Sequence, residues 1–313
     1  MASSLPAQHR ALLLESIESG FQVKTLITPQ PVHGSVVVRI AAAKVLSYAR
    51  EIYNGQHQYP FPTPLVGGTS AIGHLAAVGP DATILQPGQL VFVDCTIHAR
   101  DDPDALFLSA IHEDFSAGSK KLMREDLMYI SALLVPYGGL RDIRLEPGEA
   151  IVVSPATGAF GGAAVQVAIA MGARVIAMGR NEEKLAGLKN MAALQACGIV
   201  DAVIDFTPPA AAKSTHLKSA IKSLRRRGRC SLMGSAEDVV PEFELVAKNI
   251  TLRGKLMYER NDTLGFVKML EHGLFPRGKQ LVDTKTFELE QWKEGFDAAA
   301  EHTGIGKSVV ITP

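Results

Sequence analysis

The densest chemical signal in the chain lies between Ile151 and Met171. Ile151-Val152-Val153-Ser154 reads as an apolar strand, and Gly162 to Met171 recur at helical spacing. Between them runs Pro155-Ala156-Thr157-Gly158-Ala159-Phe160-Gly161, a turn of the form Ala-x-Gly-x-x-Gly with Ala156 in the first glycine position. A strand that becomes a helix through such a turn can hold a diphosphate. Gly158 lets backbone approach the phosphates, Gly161 lets the helix pack closely, and the free N–H groups and helix dipole balance the negative charge. Ala156, Thr157, Gly158, Ala159, Phe160 and Gly161 are therefore candidate contacts of a dinucleotide. A glycine pattern alone also fits a tight turn without ligand; the strand before it and the helix after it favour the binding reading.

A second signal follows one strand later. Ala173-Arg174-Val175-Ile176-Ala177-Met178 ends in Gly179-Arg180, where an NAD-selective site would place a carboxylate to accept from the ribose hydroxyls. None stands there. Arg180 can instead pair with a ribose 2′-phosphate, with Lys184 one helical turn further on as a second cation, so the expected cofactor is NADP(H). The competing reading is a solvated arginine beside Glu182 and Glu183.

Two kinds of element position these residues. Up to about residue 93 the chain reads as short strands and tight turns: Arg10 to Leu14, Val36 to Ile40, Ile72 to Val78 and Leu90 to Val93, punctuated by prolines and glycines. From Glu125 the period becomes helical, with Leu127, Ile130, Leu133, Leu134 and Leu140 before the Glu146-Pro147-Gly148 turn. Apolar runs and helical stretches then alternate through Met257, the pattern of a parallel sheet with right-handed crossovers. The tail adds a helix over Leu264 to His272, another over Glu290 to His302, and a closing strand, Ser308 to Thr312, expected to return to the first domain. The predicted boundaries are 1–125, 126–275 and 276–313.

Composition excludes several classes. Lys plus Arg and Asp plus Glu both number 32, so no net field favours nucleic acid or an anionic membrane. Arg225-Arg226-Arg227-Gly228-Arg229 reads as a solvated cationic helix end before a strand. The first residues lack an apolar signal core and no stretch has 18 uninterrupted apolar residues, which points to the cytoplasm. Cys95, Cys197 and Cys230 are too scattered for structural zinc and read as reduced, mostly buried thiols.

The run Ser154 to Ala168, followed by Met171 to Ala177, closely resembles the cofactor domain of the medium-chain dehydrogenase/reductase superfamily. Pro64-Leu65-Val66-Gly67-Gly68, Val78-Gly79-Pro80, Leu85 to Val91, Gly228-Arg229-Cys230 and Gly304 to Val310 extend the likeness over most of the chain. The resemblance implies an α/β protein: a GroES-like β-rich substrate domain, then a Rossmann doubly wound parallel sheet, with the active site in the cleft between them. It also implies a small-molecule substrate and a homodimer that continues the cofactor-domain sheets edge to edge.

Departures from the family refine the expectation. Val45 stands where zinc members carry a catalytic cysteine, and Gly68 and Thr69 where they carry histidine and glutamate, so no metal is expected. What remains resembles the quinone-oxidoreductase and enoyl-reductase branch, in which NADPH reduces a quinone or an activated C=C bond without metal. A conjugated acceptor spreads developing charge, so a hydrogen-bond donor can replace a Lewis acid. By resemblance of Asn54-Gly55-Gln56-His57-Gln58-Tyr59 to the enoyl-reductase stretch, Tyr59 is the first proton-donor candidate, with Tyr48 and Tyr53 as alternates. His57 reads as a solvated loop residue. Gly234 and Tyr258 fall where the family's backbone nears the ribose and nicotinamide, with packing alone as the competing role of both, and Asp205 at the carboxyl edge of the sheet, where it either faces ligand or caps the Thr207-Pro208 turn. The interval from His98 to Met128 is short and charged, so the substrate domain is expected to be shortened. A nucleotide-binding relative without redox turnover is the second expectation.

Overall fold

The computed structural model describes residues 5–57, 59, 61–98, 106–111, 119–120, 127–182, 185, 198–213, 215–237, 241–276 and 281–313. The chain divides into two compact units, residues 1–131 with 277–303 and 307–313, and residues 132–276 with 304–306. Each is built on its own plan.

Along the chain the first unit supplies β1 (Gln8–Leu14), β2 (Phe21–Ile27), β3 (Val36–Val45), α1 (Ala49–Tyr53), β4 (Leu65–Val66), β5 (Ala71–Val78), β6 (Leu90–Val93), β7 (Thr96–His98), β8 (Leu106–Leu108) and β9 (Ser119–Lys120). Helix α2 (Leu127–Asp142) leads into the second unit, which holds β10 (Ala150–Ser154), α3 (Ala159–Ala170), β11 (Arg174–Ala177), β12 (Val200–Asp205), α4 (His216–Ser223), β13 (Leu224–Leu232), α5 (Glu242–Lys248), β14 (Thr251–Gly254) and α6 (Arg260–Glu271). The first unit is completed by β15 (Asp283–Glu288), α7 (Trp292–Glu301) and β16 (Lys307–Thr312).

In the first unit the strands form a three-stranded sheet, β2-β1-β4, a six-stranded sheet, β15-β16-β3-β5-β6-β9, and the β7-β8 hairpin. The closing strand pairs antiparallel with β3, Val309 opposite Val45 and Ile311 opposite Ala43. Aromatic rings tie the two larger sheets to α1 and α7: Phe21 packs edge-on against Tyr53 at 4.9 Å and against Trp292 at 5.7 Å, with Leu14 and Ile52 fully buried beside them.

The second unit is the expected doubly wound sheet, five parallel strands in the order β11-β10-β12-β13-β14. All five residues of β10 are buried, as a strand covered by helices on both faces requires. The chain lays β11 on one side of β10 and then crosses to lay β12 on the other. That reversal opens a crevice at the carboxyl ends of β10 and β12, the place where such sheets bind ligands. Against a full six-stranded sheet of this kind, no described strand pairs with the outer edge of β11.

One expectation changes. The arginine run lies within β13, because Leu224 already pairs with Val200 and the strand absorbs an irregularity before Arg229 pairs with Ala202. Two of its cations are held by carboxylates, Arg225 by Asp201 and Arg229 by Glu149 at 2.5 Å, while Arg226 and Arg227 are exposed as expected. The helix expected after Arg180 falls mostly outside the described residues, as does Cys197, whereas Cys95 and Cys230 are buried and form no disulfide. No described helix is long and apolar enough to cross a membrane.

Candidate functional site

The turn after β10 is braced from below. Ala156 is fully buried and donates its N–H to the Met178 carbonyl at 2.6 Å, so the turn is pinned to the end of β11. Gly158 caps α3 with extended backbone and no side chain bonds the helix's first amides, so these amides lack intrahelical acceptors. The two glycines do different work. A Cβ on Gly161 would lie 1.9 Å from the Pro155 carbonyl oxygen, which makes Gly161 a packing residue. A Cβ on Gly158 would meet nothing within 4 Å, so that side of the turn is open and Gly158 itself is exposed.

Around this opening stand Thr157, Ala159 and Phe160, all partly exposed. Thr157 packs on Gly179, where a Cβ would approach its methyl to 2.7 Å, and Phe160 stacks on Phe206 at 6.5 Å. Arg180 is exposed and pairs with no described carboxylate, so its guanidinium is available at the end of β11. Lys184 lies outside the described residues. An open, uncapped helix start with a cation at the neighbouring strand end fits a phosphate-bearing dinucleotide.

Across the crevice, Ser154 of β10 lies opposite Asp205 of β12. Asp205 is fully buried; its Oδ1 accepts from the Thr207 hydroxyl at 2.5 Å and the Thr207 amide at 3.3 Å, while Oδ2 has no partner. Burial raises the carboxyl pKa, with Thr207 opposing. His216 reaches the Thr207 hydroxyl at 3.1 Å, forming a network that Asp205 alone did not suggest in the sequence. Asp205 therefore fastens the turn after β12, one of its two expected roles. At Gly234 a Cβ would lie 2.3 Å from the Thr207 amide and 2.5 Å from Asp205 Oδ2, so close approach of the ends of β12 and β13 requires glycine. Tyr258, expected near the cofactor, is 1% exposed and packs against Gly138 of α2; the structure makes it a core residue.

The tyrosines sort by burial. Tyr53 sits in the aromatic core and donates its hydroxyl to the Ala110 carbonyl at 3.1 Å, which commits that proton to the fold. Tyr48 is half-buried; burial above all, then the neighbouring Tyr59, pushes its phenol well above the usual range, so it stays protonated. Tyr59 is 37% exposed, and the His57 ring stands between it and Tyr48 at 6.2 Å from each. Sequence reasoning passed over Lys44. It is half-buried on β3, donates to the Ser131 hydroxyl at 3.0 Å, and burial draws its ammonium from 10.5 down to about 8, with Cys95 nearby opposing. The available signal was a lone charge in the run Ala41-Ala42-Ala43-Lys44-Val45. Among the described residues no three His, Cys, Asp or Glu side chains gather as metal ligands.

Family models match both halves of the chain: an alcohol dehydrogenase GroES-like domain over residues 32–120 and a zinc-binding dehydrogenase domain over residues 159–272. An acryloyl-coenzyme A reductase of Metallosphaera sedula is 26% identical over 97% of this chain and 100% of its own length. That alignment runs to 343 positions against a chain of 313 residues, so gaps open opposite this chain. Among solved structures, a cobalt- and zinc-bound alcohol dehydrogenase of Pyrobaculum aerophilum superposes with a TM-score of 0.78 at 21% identity, covering 98% of this chain and 100% of that one. A crotonyl-CoA carboxylase/reductase superposes with a TM-score of 0.82 at 14% identity, covering 98% and 89%. At these identities the two structures speak for the fold.

Proposed function

Because the chain belongs to the medium-chain dehydrogenase/reductase superfamily, a GroES-like domain joined to a Rossmann domain, we propose that it is an NADPH-dependent reductase of an enone, enoyl or quinone substrate that works without zinc. Membership makes it an oxidoreductase drawing on a nicotinamide dinucleotide; the choice of NADPH, the acceptor and the metal-free mechanism are our reading. In that reading the first unit is the substrate domain and the second the cofactor domain of a cytoplasmic homodimer.

The observation that carries the proposal is the open, uncapped start of α3 at Gly158 with exposed Arg180, and no carboxylate, at the end of β11. Thr157, Gly158, Ala159 and Phe160 would hold the diphosphate through backbone amides, braced by Ala156 and Gly161, and Arg180 with Lys184 would take the 2′-phosphate. Bound NADPH would supply the hydride. The chain must then supply a proton, and a tyrosine that keeps its hydrogen at neutral pH can donate it to a developing enolate or alkoxide. Tyr59 is the exposed donor and Tyr48 the half-buried one, while Tyr53 is spent on Ala110. Val45 and Gly68 offer no ligand atom and Thr69 replaces a carboxylate, which is why the reading is metal-free. The acryloyl-coenzyme A reductase relative favours an enoyl thioester among the acceptors.

The test is direct. NADPH should bind the protein more tightly than NADH, and Arg180→Glu should erase about 1–2 kcal/mol of that preference. Equal binding of the two cofactors by the unaltered protein would remove the NADPH assignment. NADPH consumption across enones, enoyl thioesters and quinones then reads the chemistry. A second reading, a shortened nucleotide-binding relative without turnover, draws on the unpaired outer edge of β11 among the described strands and the gaps in the alignment. Tight NADPH binding with no turnover on any acceptor would decide for it.

A further inference from the structure

Alternation along β3 sends Ala43 and Val45 to one face and Lys44 to the other. Val45 joins Leu12 in lining a half-open, mainly aliphatic pocket between the two larger sheets, so the Lys44 side chain points away from that lining. Its backbone N–H bonds the Ser70 carbonyl at 3.0 Å, which carries the β3–β5 pairing one residue past Ala43 and fixes the direction. Residues directly opposed across strands share a face, so Ala42, Ile72 and Phe92 form the floor beside Lys44, and all three are buried.

Above this apolar floor the ammonium meets polar groups. Its contacts include the Ser131 hydroxyl, to which it donates at 3.0 Å, and the buried Cys95, which stands within electrostatic reach. Cys95 lies within the same reach of the Tyr48 phenol, so Lys44 and Tyr48 approach one thiol from β3 and from the start of α1. All four residues belong to the first unit. Burial draws the ammonium down to about 8, so at neutral pH it keeps its charge and donates strongly. A cation that has lost part of its water over an apolar floor has much to gain from a developing negative charge.

Reduction of an enoyl acceptor makes two demands on the chain. A proton must reach the α carbon, which the tyrosines answer, and the charge that gathers on the carbonyl oxygen must be held, for which no group has yet been assigned in the absence of zinc. We propose that Lys44 is a catalytic residue that binds this oxygen, its ammonium standing in for a Lewis acid and Ser131 aiming it. The proposal rests on the reductase reading. Hydride forms the new bond at the β carbon, the C=C bond opens, and negative charge settles on the oxygen against Lys44. A phenol proton then bonds the α carbon as the C=O bond reforms.

Titration with para-nitrophenol tests the site without turnover, because its ionised oxygen mimics the enolate and its colour reports ionisation. The full-length protein should bind the phenolate about tenfold more tightly than the neutral phenol. Lys44→Met should erase that preference and Lys44→Arg should keep most of it; Lys44→Gln serves if Lys44→Met does not fold by circular dichroism. In turnover of an enoyl thioester, Lys44→Met should lower kcat about 100-fold and change KM far less, since the oxygen is fully charged only beyond the ground state. A phenolate preference that is absent, or that survives Lys44→Met, overturns the proposal, and so does an undiminished kcat in that variant. Absence of turnover on every acceptor with the phenolate preference intact removes the reductase reading, and the catalytic role with it, but leaves an anion site at Lys44. Loss of the preference with turnover intact removes the Lys44 assignment alone.

Discussion

Strand β10 of the second unit is buried along its whole length, whereas β3, the longest strand of the first unit, is half-buried at most of its ten positions. A parallel strand covered on both faces has no side chain to offer a ligand, so contacts fall to the backbone of the turn that leaves it. An antiparallel strand with a partly filled interior beside it keeps its side chains near solvent or cavity. Lys44 there donates to Ser131, a residue far along the chain. A local backbone pattern thus shapes the open turn of one unit, whereas side chains from distant segments meet in the other.

The comparison can be tested by perturbing each unit alone. The largest effect is expected from Phe21→Ala, which empties the aromatic core of the first unit. It should cost about 4 kcal/mol in denaturant titration and leave NADPH affinity, a property of the second unit, unchanged once the protein is folded. Loss of cofactor binding under native conditions would show that the units are not separable. In the second unit Gly161→Ala forces a Cβ against the Pro155 carbonyl and should cost about 3 kcal/mol, with cofactor binding lost as the turn shifts.

Lys44→Met probes the cost of a buried cation. The unfolded lysine keeps its proton up to about 10.5, while in the fold it is released near 8. Between these values the unfolded chain binds more protons, so the lysine's penalty is fully present below pH 8 and fades as pH rises toward 10.5. Lys44→Met should therefore stabilise the protein by about 2 kcal/mol at pH 7 and by little at pH 10.5, after allowance for partial exposure. A stability difference independent of pH would remove the buried-charge explanation. The smallest effect is expected from Gly158→Ala, where the added Cβ meets no protein atom and φ is −88°. Thermal stability should hold within about 0.5 kcal/mol while NADPH binding weakens about tenfold, because the Cβ occupies space meant for phosphate. Unchanged cofactor affinity would place the dinucleotide elsewhere.

Local patterns explain what was readable in advance. The strand, turn and helix around Gly158 and the absence of a carboxylate beside Arg180 depend on contiguous residues, and so does the alternation that builds a parallel sheet. The closing strand was legible for the same reason. The strand placement of the arginine run was not legible because it rests on pairing with β12 and on Asp201 and Glu149, residues distant in the chain that meet Arg225 and Arg229. The burial of Tyr258, 1% exposed, was not legible in its place after a strand, because it depends on what packs around it.

The amino-acid order alone determined the class of the second unit, its glycine-bearing turn between strand and helix, and the Val45, Gly68 and Thr69 on which the metal-free reading rests, since backbone freedom and donor atoms are properties of the residues themselves. Tertiary structure decided which tyrosine hydroxyl is spent on the fold, what Asp205 holds, and that Lys44 is half-buried beside Ser131. These depend on burial and on neighbours distant in the chain, and only folding sets a group's solvation.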